Sequence, residues 1–136
     1  MHTGLLIVAH SPLASALRSC VLHVYPDASD RVLALDVIAD VPPDETLSQA
    51  RALVASVNIE HMLVLTDVYG ATPSNVAQRL VDGVHSRLVA GVNLPMLLRT
   101  VNYLDEDLDR LVNRAVAGGT QCVLAVPSSS PSPVDL

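Results

Sequence analysis

The segment Leu5-Leu6-Ile7-Val8-Ala9-His10 decides the fold of this chain. It is a short apolar run that ends at a histidine, and its length favours a buried strand over a helix. A second run, Met62-Leu63-Val64-Leu65-Thr66-Asp67, ends in the same way at an aspartate. We therefore predict two buried parallel strands, each carrying a polar residue at its carboxyl end.

The rest of the chain alternates strand patterns with helical patterns. Strands are predicted at Gly4–Ala9, Arg31–Ile38, His61–Thr66, Leu88–Val92 and Gln121–Val126, and helices at Leu13–Tyr25, Glu45–Val57, from Pro73 to Gly83 and over a long region from Asn93 to Gly118-Gly119 that breaks near Asp105. This alternation predicts an α/β fold with a doubly wound, mostly parallel sheet, in the order 2-1-3-4 plus a short C-terminal strand, and helices on both faces. Asp36 lies inside the second strand, which marks that strand as a candidate sheet edge.

Composition limits the classes of function. The chain has 136 residues, the size of one domain, and a formal net charge of −6, which argues against nucleic-acid binding. We expect a folded domain over residues 1–126, a flexible Ser/Pro-rich tail over 127–136, and a cytoplasmic protein, because neither a signal peptide nor a membrane span is evident. Cys20 and Cys122 lie in apolar segments and are predicted to be buried thiols.

His10 and Asp67 are predicted to meet at the point where the strand order reverses, which is where doubly wound sheets bind ligands. A neutral imidazole is a nucleophile through one nitrogen, and a carboxylate bonded to the other N–H fixes its tautomer. The loop Gly70-Ala71-Thr72-Pro73 leads into a helix, and free N–H groups at a helix start suit an anionic phosphoryl group. Together these features describe a phosphohistidine site.

Simpler interpretations of the same residues stay open. A histidine or an aspartate after a strand is often a turn or capping residue, and Thr72-Pro73 is by default a helix start. The five histidines show neither close pairing nor a His-x-x-x-His spacing, so we expect no metal site. No cofactor is expected.

Three segments carry a family resemblance: Ile7-Val8-Ala9-His10-Ser11, Asp67-Val68-Tyr69-Gly70-Ala71-Thr72-Pro73-Ser74-Asn75 and Ala90-Gly91-Val92-Asn93-Leu94-Pro95-Met96-Leu97. In order and spacing they resemble the signature stretches of the mannose-type (mannose/fructose/sorbose) enzyme IIA of the bacterial phosphoenolpyruvate-dependent phosphotransferase system. The resemblance extends to about Val126.

The resemblance implies a function. His10 would accept a phosphoryl group from the phosphocarrier protein HPr and pass it to an enzyme IIB partner in trans. Asp67 would orient His10, and Gly70, Ala71 and Thr72, with Ser11, would bind the phosphoryl group. Family members often have glycine where this chain has Ser11 and Ala71, which are small changes.

The resemblance also implies an assembly. Family members are homodimers whose last strand, here Gln121–Val126, packs in a swapped manner on the partner subunit. Association with a membrane would occur only through a transporter complex.

Two rival functions remain at this stage. The phosphoryl-carrier subunit of dihydroxyacetone kinase shares the fold and a strand-end histidine, although Thr72-Pro73-Ser74-Asn75 and Asn93-Leu94-Pro95 favour the mannose type. A non-catalytic regulatory module of the same fold is the second rival. The sequence also leaves open whether a phosphoryl-transferring protein serves sugar uptake or regulation.

Overall fold

The computed structural model describes residues 2–129 as a parallel sheet covered by helices on both faces. The strands are β1 (Thr3–His10), β2 (Val32–Val37), β3 (His61–Thr66) and β4 (Ser86–Ala90). The helices are α1 (Leu13–Val24), α2 (Pro43–Ala55), α3 (Thr72–Leu80), α4 (Leu94–Asn102) and α5 (Leu108–Gln121), with a short 3-10 turn at Pro26–Ala28. The strand order is β2-β1-β3-β4, which confirms the predicted order and the edge position of β2.

Strand β1 is the centre of the core and separates two apolar layers. Leu5, Ile7 and Ala9 pack with residues of α1, α4 and α5, whereas Leu6 and Val8 pack on the side of α2 and α3. Successive side chains of a strand point to opposite faces. His10, two residues beyond Val8 in the same strand, therefore continues the row that faces the α2–α3 layer.

The predicted end of the last helix at Gly118-Gly119 is wrong, because α5 runs through both glycines to Gln121. These glycines allow α5 to approach α4 closely. A Cβ atom on Gly118 would lie 2.8 Å from the Cβ of Arg99, and one on Gly119 would lie 2.7 Å from the Cε of Met96. The glycines thus serve helix packing, which overrides the local preference of glycine for a helix end.

Gly118→Ala should destabilise the protein, whereas Gly119→Ala should not. The new methyl at 118 meets the base of the Arg99 side chain, which cannot move without α4, and overpacking of this kind costs about 1–3 kcal/mol. Alanine returns about 1 kcal/mol of helix propensity, so we expect a net loss of about 1 kcal/mol.

Gly119→Ala is the matched control for that measurement. Its methyl meets only the flexible end of Met96, so its free energy of unfolding, measured by urea denaturation, should equal or exceed that of the unmodified protein. Equal destabilisation by both substitutions would contradict the packing argument.

Two further predictions from the sequence are corrected. The fifth strand predicted at Gln121–Val126 is not formed, because Gln121 ends α5 and residues 122–129 contain no strand. Val123, Leu124 and Val126 are exposed, and none of the four described strands pairs with them. Cys20 and Cys122 are exposed free thiols rather than buried ones. Of the predicted tail 127–136, residues 130–136 lie outside the described residues.

Candidate functional site

The carboxyl ends of β1 and β3 bring His10 and Asp67 into direct contact. The ring Nδ1 of His10 lies 2.7 Å from the Oδ2 of Asp67, and the backbone N–H of His10 donates to the same oxygen at 3.2 Å. The two strands are neighbours and parallel, which places residues 57 apart in the chain at one rim of the sheet. This is the meeting that the strand order predicts.

Asp67 is held as a carboxylate that receives hydrogen bonds at both oxygens. Its side chain is only 9% exposed. Burial by itself raises the pKa of Asp67, but the hydrogen bonds from the His10 ring and backbone, with a backbone N–H from Val68, lower that pKa below its usual value. A charged carboxylate only accepts hydrogen bonds, so the proton of a neutral His10 ring lies on Nδ1 and the lone pair on Nε2. The His10 side chain is 54% exposed, which leaves this rim open to a partner.

Asp67 should contribute stability that disappears in acid. Because the pKa of Asp67 is lower in the folded protein than the ordinary 3.8, the contribution is fully present above about pH 5 and is lost as the pH falls through the folded pKa. Asp67→Asn should therefore be less stable than the unmodified protein at pH 7, and the difference should shrink below pH 3.8. Urea denaturation of both proteins at pH 7 and below pH 3.8 measures the difference in the free energy of unfolding. A difference that does not change with pH would contradict this account.

The loop between β3 and α3 presents backbone N–H groups without partners. The amides of Gly70, Ala71 and Thr72 make no hydrogen bond within residues 2–129, and the Thr72 hydroxyl is likewise free there. Gly70 has φ +88°, a conformation that glycine adopts without strain. Helix α3 has neither an acidic residue in its first turn nor a side-chain cap, so its first turn carries no negative charge of its own. This arrangement suits an anion on the face to which His10 points.

Ser11 offers less than the sequence predicts. Its backbone N–H donates to the carbonyl of Val37 at 3.0 Å and so extends the pairing of β1 with β2. The exposed hydroxyl is therefore the group of Ser11 that remains for a ligand.

Sequence reasoning missed one polar pair at the same rim. Asp36, the charged residue within β2, accepts a hydrogen bond from the backbone N–H of Ser15 at 3.0 Å and another from the Ser15 hydroxyl at 2.6 Å. It thereby caps the first turn of α1, which has no cap from its own Pro12. The sequence feature that could have predicted this pair is an acidic residue near the end of a strand, next to a helix that begins with proline rather than with Ser, Thr, Asp or Asn.

Residues 2–129 contain no group of three or more His, Cys, Asp or Glu side chains that could hold a metal ion. Within the same residues no helix is both long and apolar enough to cross a bilayer.

Comparison with known proteins gives the family. A family model described as the PTS system fructose IIA component matches residues 4–116. The chain belongs to this family of phosphotransferase-system IIA components. Its match spans β1 to α5 and includes His10, Asp67 and the Gly70–Thr72 loop.

Individual relatives agree with the assignment. The chain is 40% identical over 80 residues to the PTS system mannose-specific EIIAB component of Escherichia coli K12, a match that covers 53% of this chain and 25% of that protein. The chain thus spans about a quarter of the length of the curated relatives that it matches.

Solved structures share the fold. The mannose/sorbose-specific IIA subunit from Enterococcus faecalis has a TM-score of 0.83 at 24% identity, over 97% of this chain and 100% of that one. The component EIIA from Streptococcus agalactiae has a TM-score of 0.77 at 24% identity, over 90% of this chain and 96% of that one.

Proposed function

We propose that this protein is a phosphoryl carrier of the phosphotransferase system, which accepts a phosphoryl group on Nε2 of His10. The observation that carries the proposal is the contact of His10 Nδ1 with the charged Asp67, because it leaves the lone pair on Nε2. The free amides of Gly70, Ala71 and Thr72 support it, since they can bind the oxygens of the transferred group. The family is one of phosphotransferase components, which supports the same chemistry.

The transfer step balances without a change in protonation. The Nε2 lone pair of His10 attacks the phosphorus of a phosphohistidine on the donor, the donor's N–P bond breaks, and its electron pair returns to the donor ring. The proton on Nδ1 stays in its hydrogen bond to Asp67. The phosphorylated ring carries a positive charge that the Asp67 carboxylate balances, and the same step then delivers the group to an acceptor.

The proposed donor is phospho-HPr and the proposed acceptor is an enzyme IIB domain. Exposed apolar side chains lie in the segments that follow β1, β2 and β3 at the His10 rim, which suits docking of a protein rather than of a small ligand. They are Leu13, Ile38, Val68 and Tyr69. The relative from Escherichia coli is named an EIIAB component, which supports a IIB acceptor.

Purified enzyme I, HPr and phosphoenolpyruvate test the proposal together. Intact-mass measurement should find one phosphoryl adduct on this protein, and none when HPr is left out. The phosphorylated protein is then mixed separately with IIB domains and with the ligand-binding subunits of dihydroxyacetone kinase. Transfer of the phosphoryl group to IIB domains alone supports the proposed acceptor, and transfer to the kinase subunits alone overturns it. The absence of any adduct overturns the carrier function in favour of a non-catalytic module.

The proposed assembly is a homodimer in which the segment after α5 covers the free edge of β4 on the partner subunit. Among the described strands, β4 pairs only with β3, so its other edge is unpaired. Val123, Leu124 and Val126 are exposed beyond the end of α5 and supply an apolar strand-like segment. If the segment after α5 pairs with the outer edge of β4 on the partner, the dimer covers an exposed sheet edge and exposed apolar side chains together.

Leu124→Asp should weaken this dimer by at least about tenfold, because a charge would be buried against the partner. Light scattering across a dilution series measures the shift towards monomer. Val24→Asp, which changes an exposed valine at the end of α1, should leave the dimer intact. A monomeric unmodified protein, or a dimer that Leu124→Asp does not weaken, would contradict the proposed interface.

A further inference from the structure

Two helices begin at the rim where His10 lies, and both start with free backbone N–H groups. In α3 these are the amides of Gly70, Ala71 and Thr72, and in α1 they are the amides of Leu13 and Ala14, which make no hydrogen bond within residues 2–129. On backbone chemistry alone, either end could bind an anion. A carrier needs one defined position for its phosphoryl group. The direction of the His10 side chain favours the α3 end, and the charge at each helix start is the second feature that can separate the two ends.

Asp36 adds a difference in charge between the two ends, because its carboxylate lies at the N-terminus of α1. One oxygen accepts from the Ser15 N–H at 3.0 Å and the other from the Ser15 hydroxyl at 2.6 Å. The negative charge offsets the positive end of the α1 dipole and repels a second anion there. Helix α3 has no acidic residue in its first turn and no side-chain cap.

The orientation of the side chains agrees with this division. Asp36 is paired in register with Ala9, whose side chain packs on the α1 side of the sheet. His10 continues the opposite row, in which Leu6 and Val8 pack towards α2 and α3. The charge of Asp36 therefore lies on the α1 side and the imidazole on the α3 side.

We propose that Asp36 is a positioning residue, which blocks the N-terminus of α1 to anions and so directs the phosphoryl group of His10 to the amides before α3. The inference rests on the proposed carrier function. It assigns Asp36 a role in addition to capping a helix, and that role depends on its charge rather than on its hydrogen bonds.

Asp36→Asn separates the charge from the hydrogen bonds. The Asn carbonyl can still accept from the Ser15 N–H, and its NH2 can donate to the Ser15 hydroxyl, which then donates to the Pro12 carbonyl that it already contacts at 3.1 Å. The fold and the cap are retained while one negative charge is lost. Two variants serve as controls: Ser15→Ala keeps the charge of Asp36, and Asp105→Asn makes the same change of charge at an exposed site after α4.

The experiment follows the backbone amide resonances of the full chain by NMR during titration with inorganic phosphate. In the unmodified protein and both controls, the amides of Gly70–Thr72 should shift while those of Leu13 and Ala14 stay unchanged. In Asp36→Asn, the amides of Leu13 and Ala14 should also shift, at phosphate concentrations that leave them unchanged in the unmodified protein. If the amide resonances of Leu13 and Ala14 do not shift in Asp36→Asn, Asp36 is only a helix cap and the proposal is wrong. An equal response of both helix starts in the unmodified protein would also overturn the proposal.

A parallel treatment of the unmodified protein with phosphoramidate, a small phosphoryl donor, tests the carrier function separately. An adduct on His10 that shifts the amides of Gly70–Thr72 and leaves those of Leu13 and Ala14 in place supports both proposals. Absence of an adduct, with the phosphate pattern intact, would reject the carrier function while leaving the electrostatic role of Asp36 supported. An adduct that shifts the α1 amides instead would overturn the role of Asp36 alone.

Discussion

His10→Ala should abolish phosphoryl acceptance from phospho-HPr. The substitution removes the only atom that the mechanism uses to form the new N–P bond, and no other residue of the site can replace it. Loss of a nucleophile of this kind typically costs more than about 10⁴-fold in rate. Intact-mass measurement with enzyme I, HPr and phosphoenolpyruvate should therefore find no adduct on the variant. The fold should survive, because the His10 side chain is half exposed and is not part of the core.

The chain supplies a matched control in a second histidine–aspartate pair. The Nδ1 of His85 lies 3.2 Å from the Oδ2 of Asp82, and both side chains are exposed. This pair lies before β4, at the rim opposite to His10, and Asp82 already accepts from the backbone amides of Val84, His85 and Ser86. His85→Ala should be phosphorylated like the unmodified protein. An adduct that persists in His10→Ala and is lost in His85→Ala would move the site to the other rim.

The sequence predicted the sheet and the meeting of His10 with Asp67 because both depend on strong, local patterns. Apolar runs of strand length fix β1 and β3, and parallel strands with right-handed crossovers bring their carboxyl ends to one rim. The residue pattern indicated a phosphohistidine site, and the family signatures then supplied the expected donor and acceptor, which patterns alone leave open.

The errors share a different physical origin, since each depends on a contact between elements distant in sequence. The helix end predicted at Gly118-Gly119 did not take into account the packing of α5 on Arg99 and Met96 of α4, where small residues allow close approach and the rigid base of Arg99 requires glycine at 118. The strand predicted at Gln121–Val126 is not formed because α5 continues to Gln121, held by its packing on α4, and none of the four described strands pairs with the residues that follow. Asp36 indicated a sheet edge in the sequence, but its role as a helix cap depends on Ser15, which lies 21 residues earlier in the chain.

Asp67→Asn should slow phosphoryl transfer and also shift its equilibrium towards the donor. The asparagine keeps the size of the side chain but removes the charge that balances the phosphorylated ring of His10. Hydrogen bonds to a charged group contribute about 1.5–3 kcal/mol, roughly twice as much as neutral ones, so we expect the equilibrium constant for transfer from phospho-HPr to fall by about tenfold to 100-fold. Quantifying both phosphorylated proteins at equilibrium measures this constant directly.

The equilibrium measurement separates an electrostatic role of Asp67 from a purely structural one. Both oxygens of Asp67 accept from backbone amides, those of His10 and Val68, so an amide side chain cannot satisfy both and some loss of stability is expected. A loss of stability lowers the amount of folded protein, but it does not change the phosphoryl equilibrium of the molecules that remain folded. Asp67→Ala should shift the equilibrium in the same direction, whereas Asp82→Asn, in the other histidine–aspartate pair, should leave it unchanged. If Asp67→Asn slows transfer while the equilibrium constant stays at that of the unmodified protein, Asp67 orients His10 without stabilising the phosphorylated ring.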